Sequence, residues 1–312
     1  MAESIIVVYG GMAGNVAVAT TKFVVAGITG SSAMLSEAIH SVVDAGDGLL
    51  LLLGMKRSRR PPDAEHPFGY GKEVYFWSLI VAVMIFGVGG GISAYQGLLH
   101  ILHPAPLEDA MWNYIVLGCA AIFEGASFTI ALRATLEEKG SKPFWQALHS
   151  SKDPSTITVL AEDSADLLGL LLAAIGVYAS HRFNMPALDG AASIAIGLVL
   201  AAVAGLLMYE TRSLLLGEGV ELEIARAIRK LVQEDHAVAS AAQPLTMYFG
   251  PDDILLTLDV SFKPGTSGKE IAVAIERIES SIQSRFPNIK RIYIEARQVA
   301  AAASGEGRFG PS

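Results

Sequence analysis

Six stretches of this 312-residue sequence, near 5–28, 33–55, 74–101, 111–136, 155–180 and 188–215, are apolar over the length a helix needs to cross a bilayer. That crossing takes roughly 20 helical residues. Hydrocarbon offers no water to a backbone amide, so only helices or a closed barrel can span it. The alternating pattern of barrel strands is absent. The composition agrees, with 52% hydrophobic and only 17% charged residues, where a soluble domain carries about a quarter charged. The mean hydropathy is +0.44. The first stretch lacks a basic leading region and contains Lys22, so it reads as a retained helix rather than a cleaved signal. A net charge of -8 argues against nucleic acid as a partner. Cys119 stands alone, which excludes a disulfide framework and a thiolate zinc site.

Lysine and arginine in the short connections set the orientation. Lys56, Arg57, Arg59, Arg60 and Lys72 follow the second stretch, and Arg133, Lys139, Lys142 and Lys152 follow the fourth. The three opposite connections offer only Arg182, so both termini are expected in the cytoplasm. Beyond residue 216 the pattern changes. Leu222, Ile224, Ile228, Leu231 and Val232 recur at helical spacing, and His236 closes that helix. Leu245, Met247 and Phe249, then Leu256, Leu258, Val260 and Phe262, alternate as strands do. A second helix carries Ile271, Ile275, Ile278, Ile282 and Phe286, and a third strand carries Ile292 and Ile294. The expected architecture is an α-helical membrane protein. Six transmembrane helices fill 1–216, an α+β ferredoxin-like domain in the cytoplasm fills 217–297, and a disordered tail fills 298–312.

The ionisable residues inside the apolar stretches carry the functional signal. A charge at mid-membrane costs about 2.5–3.5 kcal/mol on insertion scales, so each needs a reason. Helix 2 holds His40 and Asp44, and helix 5 holds Glu162 and Asp166. Each pair is spaced i, i+4, which places both side chains on one helix face, one turn apart. The pairs lie at similar depth and offer one imidazole and three carboxylates, a tetrahedral set for a divalent metal. Neither helix has a lysine or arginine at that depth, and Lys22 on helix 1 offsets one charge, not three. A structural ion pair or a metal-free proton relay is the competing reading. Asp163 rivals Glu162 as the second ligand of helix 5, and Asp47 lies two turns from His40 on nearly the same face as a possible relay. Asn15, Glu124 and Asp189 read as hydrogen-bonding groups between helices rather than ligands.

At these residues the sequence resembles the cation diffusion facilitator family of zinc-transporting antiporters. The run Gly30-Ser-Ser-Ala-Met-Leu-Ser-Glu-Ala-Ile-His40-Ser-Val-Val-Asp44 is similar to the family's helix 2, Asp63-Ala-Glu-His66-Pro-Phe-Gly-Tyr70-Gly-Lys72 to the loop after it, and Asp189-Gly-Ala-Ala-Ser193 to helix 6. The stretch from Asp153 through Glu162-Asp-Ser-Ala-Asp166 resembles the branch that includes a mitochondrial zinc exporter. The resemblance implies a transport site at His40, Asp44, Glu162 and Asp166, with zinc as cargo and a homodimer as the working form. Most members have histidine at the position of Glu162. Oxygen there hardens the site, so manganese, iron(II) and cobalt join zinc as candidate ions. The family's loop site is matched by Asp63 and His66, but Tyr70 stands at its third position and weakens it. Gln243 and Glu295 stand where cytoplasmic histidine ligands are expected, which leaves dimerisation as that domain's role. Lys72 matches a family lysine that pairs with an acidic residue after helix 6. Leu216 fills that acidic position, and Glu218 is the substitute.

Metal ligation needs a neutral imidazole and ionised carboxylates, so binding displaces protons. If the bundle rocks around a fixed site, metal and protons exchange across the membrane. The expected activity is export of a divalent metal from the cytoplasm in exchange for protons, in a prokaryotic inner membrane since no basic presequence is visible. An intramembrane metal hydrolase would need a catalytic motif such as HExxH, which is absent, so an enzyme is not expected. A metal sensor merely anchored in the membrane needs one helix and leaves acidic residues on two unexplained.

Overall fold

The computed structural model describes residues 16, 18–104, 110–138 and 154–298. Asn15, Lys139, Lys142, Lys152, Asp153, the start of the first apolar stretch and the tail after Gln298 lie outside the described residues. The chain divides into two compact units, Met1–Leu215 and Leu216–Ser312.

The first unit is helical: α1 (Val18–Thr29), α2 (Ser32–Ser58), α3 (Glu73–Leu102), α4 (Ala110–Glu138), α5 (Pro154–Phe183) and α6 (Ala187–Leu216). By length and composition, α2, α3, α4 and α6 can each cross a membrane. Helix α5 is just as long at 30 residues and carries Glu162, Asp163 and Asp166. The perimeter is apolar, with Ile122, Phe123, Ile130, Leu171 and Leu198 all more than half exposed. In water such a surface would aggregate, whereas in lipid it is the natural exterior.

Gly30 ends α1 in a left-handed conformation (φ 68°), a backbone geometry that glycine adopts without steric cost. Ser31 then caps α2, its hydroxyl accepting from the Met34 amide at 3.1 Å. The cap is completed from α6, where buried Asp189 accepts from the Ser31 hydroxyl (2.7 Å), the Ser32 amide (2.6 Å) and hydroxyl (2.9 Å), and the Ala33 amide (3.2 Å). Asp189 is therefore a hydrogen-bonding group between helices, as the sequence reading expects. Helices α3 and α6 approach closely through glycines spaced seven apart on each. A Cβ at Gly97 would lie 2.5 Å from the Gly190 carbonyl, and one at Gly197 would lie 2.7 Å from the Gly90 carbonyl. Residues Ile85–Gly91 of α3 form a π-helical segment containing four glycines.

The second unit runs α7 (Leu222–Gln233), β1 (Val238–Ala241), β2 (Leu245–Gly250), β3 (Asp253–Phe262), α8 (Gly268–Arg285) and β4 (Ile289–Gln298). Strand β3 is central. One edge pairs antiparallel with β1 (Ala241 opposite Val260) and then β2 (Met247 opposite Leu255), while the other pairs parallel with β4 (Leu258 opposite Ile294). Ile254, Leu256, Leu258, Val260 and Phe262 are buried, and Ile228, Ile278 and Ile282 of the two helices are buried with them. Ser267 and Glu270 form a reciprocal capping box at the start of α8. Three details differ from the sequence reading, the first being β1, a fourth strand where three were expected. Helix α7 stops at Gln233, so His236 lies in the turn beyond it, with its side chain 81% exposed. In β2 the buried side chain is Tyr248, whereas Leu245 on the opposite sheet face is 70% exposed. Pairing with β3 fixes that register, and the run of alternating apolar residues faces away from the helices.

Candidate metal centre

The candidate site is built on the contact between α2 and α5. His40 is 1% exposed and sits between two carboxylates. Its Nδ1 lies 3.2 Å from Asp44 Oδ1 on its own helix, and its Nε2 lies against Asp166 Oδ1 on α5. One ligand atom from each of His40, Asp44 and Asp166 falls within a sphere of mutual separation no larger than 4.8 Å. Such a set can grip one small cation. A second group of the same compactness joins Asp163 and Asp166 to Glu124 on α4, and the Ser127 hydroxyl donates to Asp163 at 3.0 Å. Asp166 belongs to both groups.

Glu162 is outside both compact groups but lines the same cavity, about 920 Å³ in volume, with Asp44, Glu124, Ser127, Asp163 and Asp166. One Glu162 carboxylate oxygen is buried with no hydrogen-bond partner among the described residues. Asp47 is fully buried, and neither of its carboxylate oxygens has a hydrogen-bond partner among the described residues. The sequence reading thus picks side chains that converge, but the close set is His40, Asp44 and Asp166, with Glu162 set back along the cavity wall.

The sequence reading misses one neighbour. Glu37, one turn before His40, is fully buried, and its Oε2 lies 3.3 Å from the Lys22 ammonium. Glu37 lies within the helix 2 stretch, and a glutamate one turn from His40 in a largely apolar helix was the available signal. Lys22, read as offsetting one of the site's charges, pairs with Glu37 and with the Ser41 hydroxyl at 2.8 Å.

In the loop after α2, Asp63 and His66 are exposed, with Nδ1 of His66 3.5 Å from Asp63 Oδ1. Asp63 Oδ1 also accepts the His66 and Glu65 amides, and Oδ2 accepts the Tyr70 hydroxyl at 2.6 Å. That hydroxyl, with the two amides, holds the Asp63 carboxyl below the usual aspartate range. Lys72 donates to the Leu215 backbone carbonyl at 3.3 Å.

The cation efflux transmembrane domain family matches residues 9–216. The chain belongs to the cation efflux family. Members of that family are membrane transporters rather than enzymes, and the apolar helices of this chain suit a bilayer. The mitochondrial proton-coupled zinc antiporter of Xenopus laevis is 34% identical over 236 residues, covering 75% of this chain and 42% of that protein. Metal tolerance protein C4 of Arabidopsis thaliana is 28% identical, covering 90% of this chain and 71% of that protein. Magnetosome protein MamM of Paramagnetospirillum magneticum is 23% identical, covering 96% and 90%. The chain spans 42–43% of the length of the vertebrate antiporters that it matches.

Proposed function

We propose that this cation efflux protein exports a divalent metal from the cytoplasm in exchange for protons, with zinc as the cargo. The observation that carries the reading is buried His40 held between Asp44 and Asp166 of two different helices. His40, Asp44 and Asp166 bind the ion, and Glu162 from the cavity wall supplies the fourth donor. Loading the ion displaces protons from these groups and unloading it takes them up, so the same side chains serve both cargoes. Three carboxylates to one imidazole make a harder site than one with two imidazoles, so manganese, iron(II) and cobalt compete with zinc.

In this reading α1 and α5 cross the membrane beside α2, α3, α4 and α6, making six spans. The connections rich in lysine and arginine, and with them both termini, lie in the cytoplasm of a prokaryotic inner membrane. The second unit is a ferredoxin-like dimerisation domain. Exposed Leu245, on the sheet face away from the helices, supports a homodimer. The loop pair Asp63 and His66 binds metal weakly at best, because Tyr70 and the loop amides already occupy Asp63.

Zinc uptake into proteoliposomes tests the assignment. Asp44→Ala and Asp166→Ala abolish uptake while the protein still elutes as the unaltered species in gel filtration. Undiminished uptake in both variants would refute the site.

A further inference from the structure

Among the described residues, Lys22 is the only buried lysine or arginine. Its ammonium sits at the edge of the metal centre. It donates to the hydroxyl of Ser41, the residue next to His40, and lies 3.3 Å from Glu37. After Glu37, the charges it feels most are Asp166, Glu124 and Asp44, the carboxylates of the centre itself. A lysine ends a flexible four-carbon stem, and its ammonium is a compact cation that suits the same oxygen donors as a metal ion. Released from Glu37 beside this cavity, it would be a tethered competitor for the transported ion.

Glu37 is built to prevent that. It is fully buried on α2, one turn before His40. Its Oε1 points at Gly169 of α5, where a Cβ would lie only 2.4 Å away. The missing side chain at Gly169 is what makes room for the carboxylate. We propose that Glu37 is a positioning residue that parks the Lys22 ammonium away from Asp44 and Asp166, so that the metal does not compete with a cation of the protein's own. This inference rests on the metal centre assigned above.

A pair that only held helices together would respond alike to the loss of either partner, since each loss leaves one buried charge unmatched. Parking predicts asymmetry. The test is calorimetric titration of the purified full chain in detergent with zinc alone, with gel filtration to show that each variant is folded. Glu37→Gln weakens zinc binding by roughly tenfold or more, the scale of one added unit charge near a bound dication. Lys22→Met binds zinc at least as tightly as the unaltered protein. The double variant Lys22→Met/Glu37→Gln recovers the affinity that Glu37→Gln loses. Gly169→Ala crowds Glu37 from its seat with both charges kept. It shows the same loss and the same rescue by Lys22→Met, so the test does not depend on Glu37→Gln folding. Equal losses in the two single variants, or no rescue in either double variant, overturn the inference. Undiminished zinc binding in Asp166→Ala would instead refute the metal centre.

Discussion

Replacing Gly97 with alanine should loosen the cap of α2 from a distance. The new Cβ would lie 2.5 Å from the Gly190 carbonyl and 2.8 Å from the Ile194 amide nitrogen, where ordinary contact begins at 3.4 Å. Backbone cannot rotate away as a side chain can, so α3 and α6 must part by about 0.9 Å at this point. Asp189 adjoins Gly190, and its bonds to Ser31, Ser32 and Ala33 span 2.6–3.2 Å. A shift of that size stretches the longest one, from the Ala33 amide, beyond bonding range. Overpacking costs about 1–3 kcal/mol and the lost bond to the carboxylate about 1.5–3 kcal/mol, so the sum is about 3–6 kcal/mol. At roughly 2–4 °C per kcal/mol the melting temperature falls by about 10 °C. Thermal unfolding in detergent, followed by size-exclusion chromatography, reads it. Gly205→Ala is the control, because no described residue lies within 4 Å of its Cβ. A Gly97→Ala protein that melts with the control would refute the close-approach argument.

Three further outcomes are expected. Partial burial pushes the Asp235 carboxyl up, but the Arg277 fork at 3.0 Å to each oxygen and the Ala237 amide prevail and hold it below the ordinary aspartate value of 3.8. A depressed carboxylate contributes fully above its unfolded value and loses that contribution as the pH falls through its folded one. The melting gap between unaltered protein and Asp235→Asn should therefore be full at pH 7 and close in acid below 3.8, whereas a gap constant with pH would contradict the pairing. Tyr70→His releases Asp63 and completes an Asp/His/His set in the loop, so zinc titration should gain one binding equivalent, and an unchanged stoichiometry would count against the loop reading. Leu245→Asp places a charge on the apolar sheet face and should halve the mass seen by light scattering, while an unaltered mass would remove that face from the dimer interface.

The parts of the fold legible in the sequence were those that one helix or strand encodes alone. His40 and Asp44 share a helix face by spacing, as do Glu162 and Asp166, and α2 to α6 follow apolar stretches with ends shifted by one to three residues. Properties that depend on a partner element were not legible. Which of Glu162 and Asp166 meets His40 depends on how α2 and α5 pack, and the contact falls to Asp166. The Lys22 and Glu37 pair joins residues fifteen apart, on opposite sides of the turn at Gly30, and a charge pattern along one helix does not reveal it. Strand β1, Val-Ala-Ser-Ala, has too little β-branched or aromatic character to announce itself and is ordered by pairing with β3. The buried side of β2 likewise follows from register, not from which of its residues are most apolar.

The central claim is that one buried set of ligands carries metal one way and protons the other. Its most direct test is simultaneous measurement of zinc and proton flux in proteoliposomes, with a zinc indicator and a pH dye in the same lumen. Zinc entering the lumen should drive protons out in a fixed ratio, an imposed proton gradient should accelerate zinc entry, and both fluxes should vanish together in Asp166→Ala. Zinc flux that proceeds with no proton counterflow, or that survives in Asp166→Ala, would contradict it.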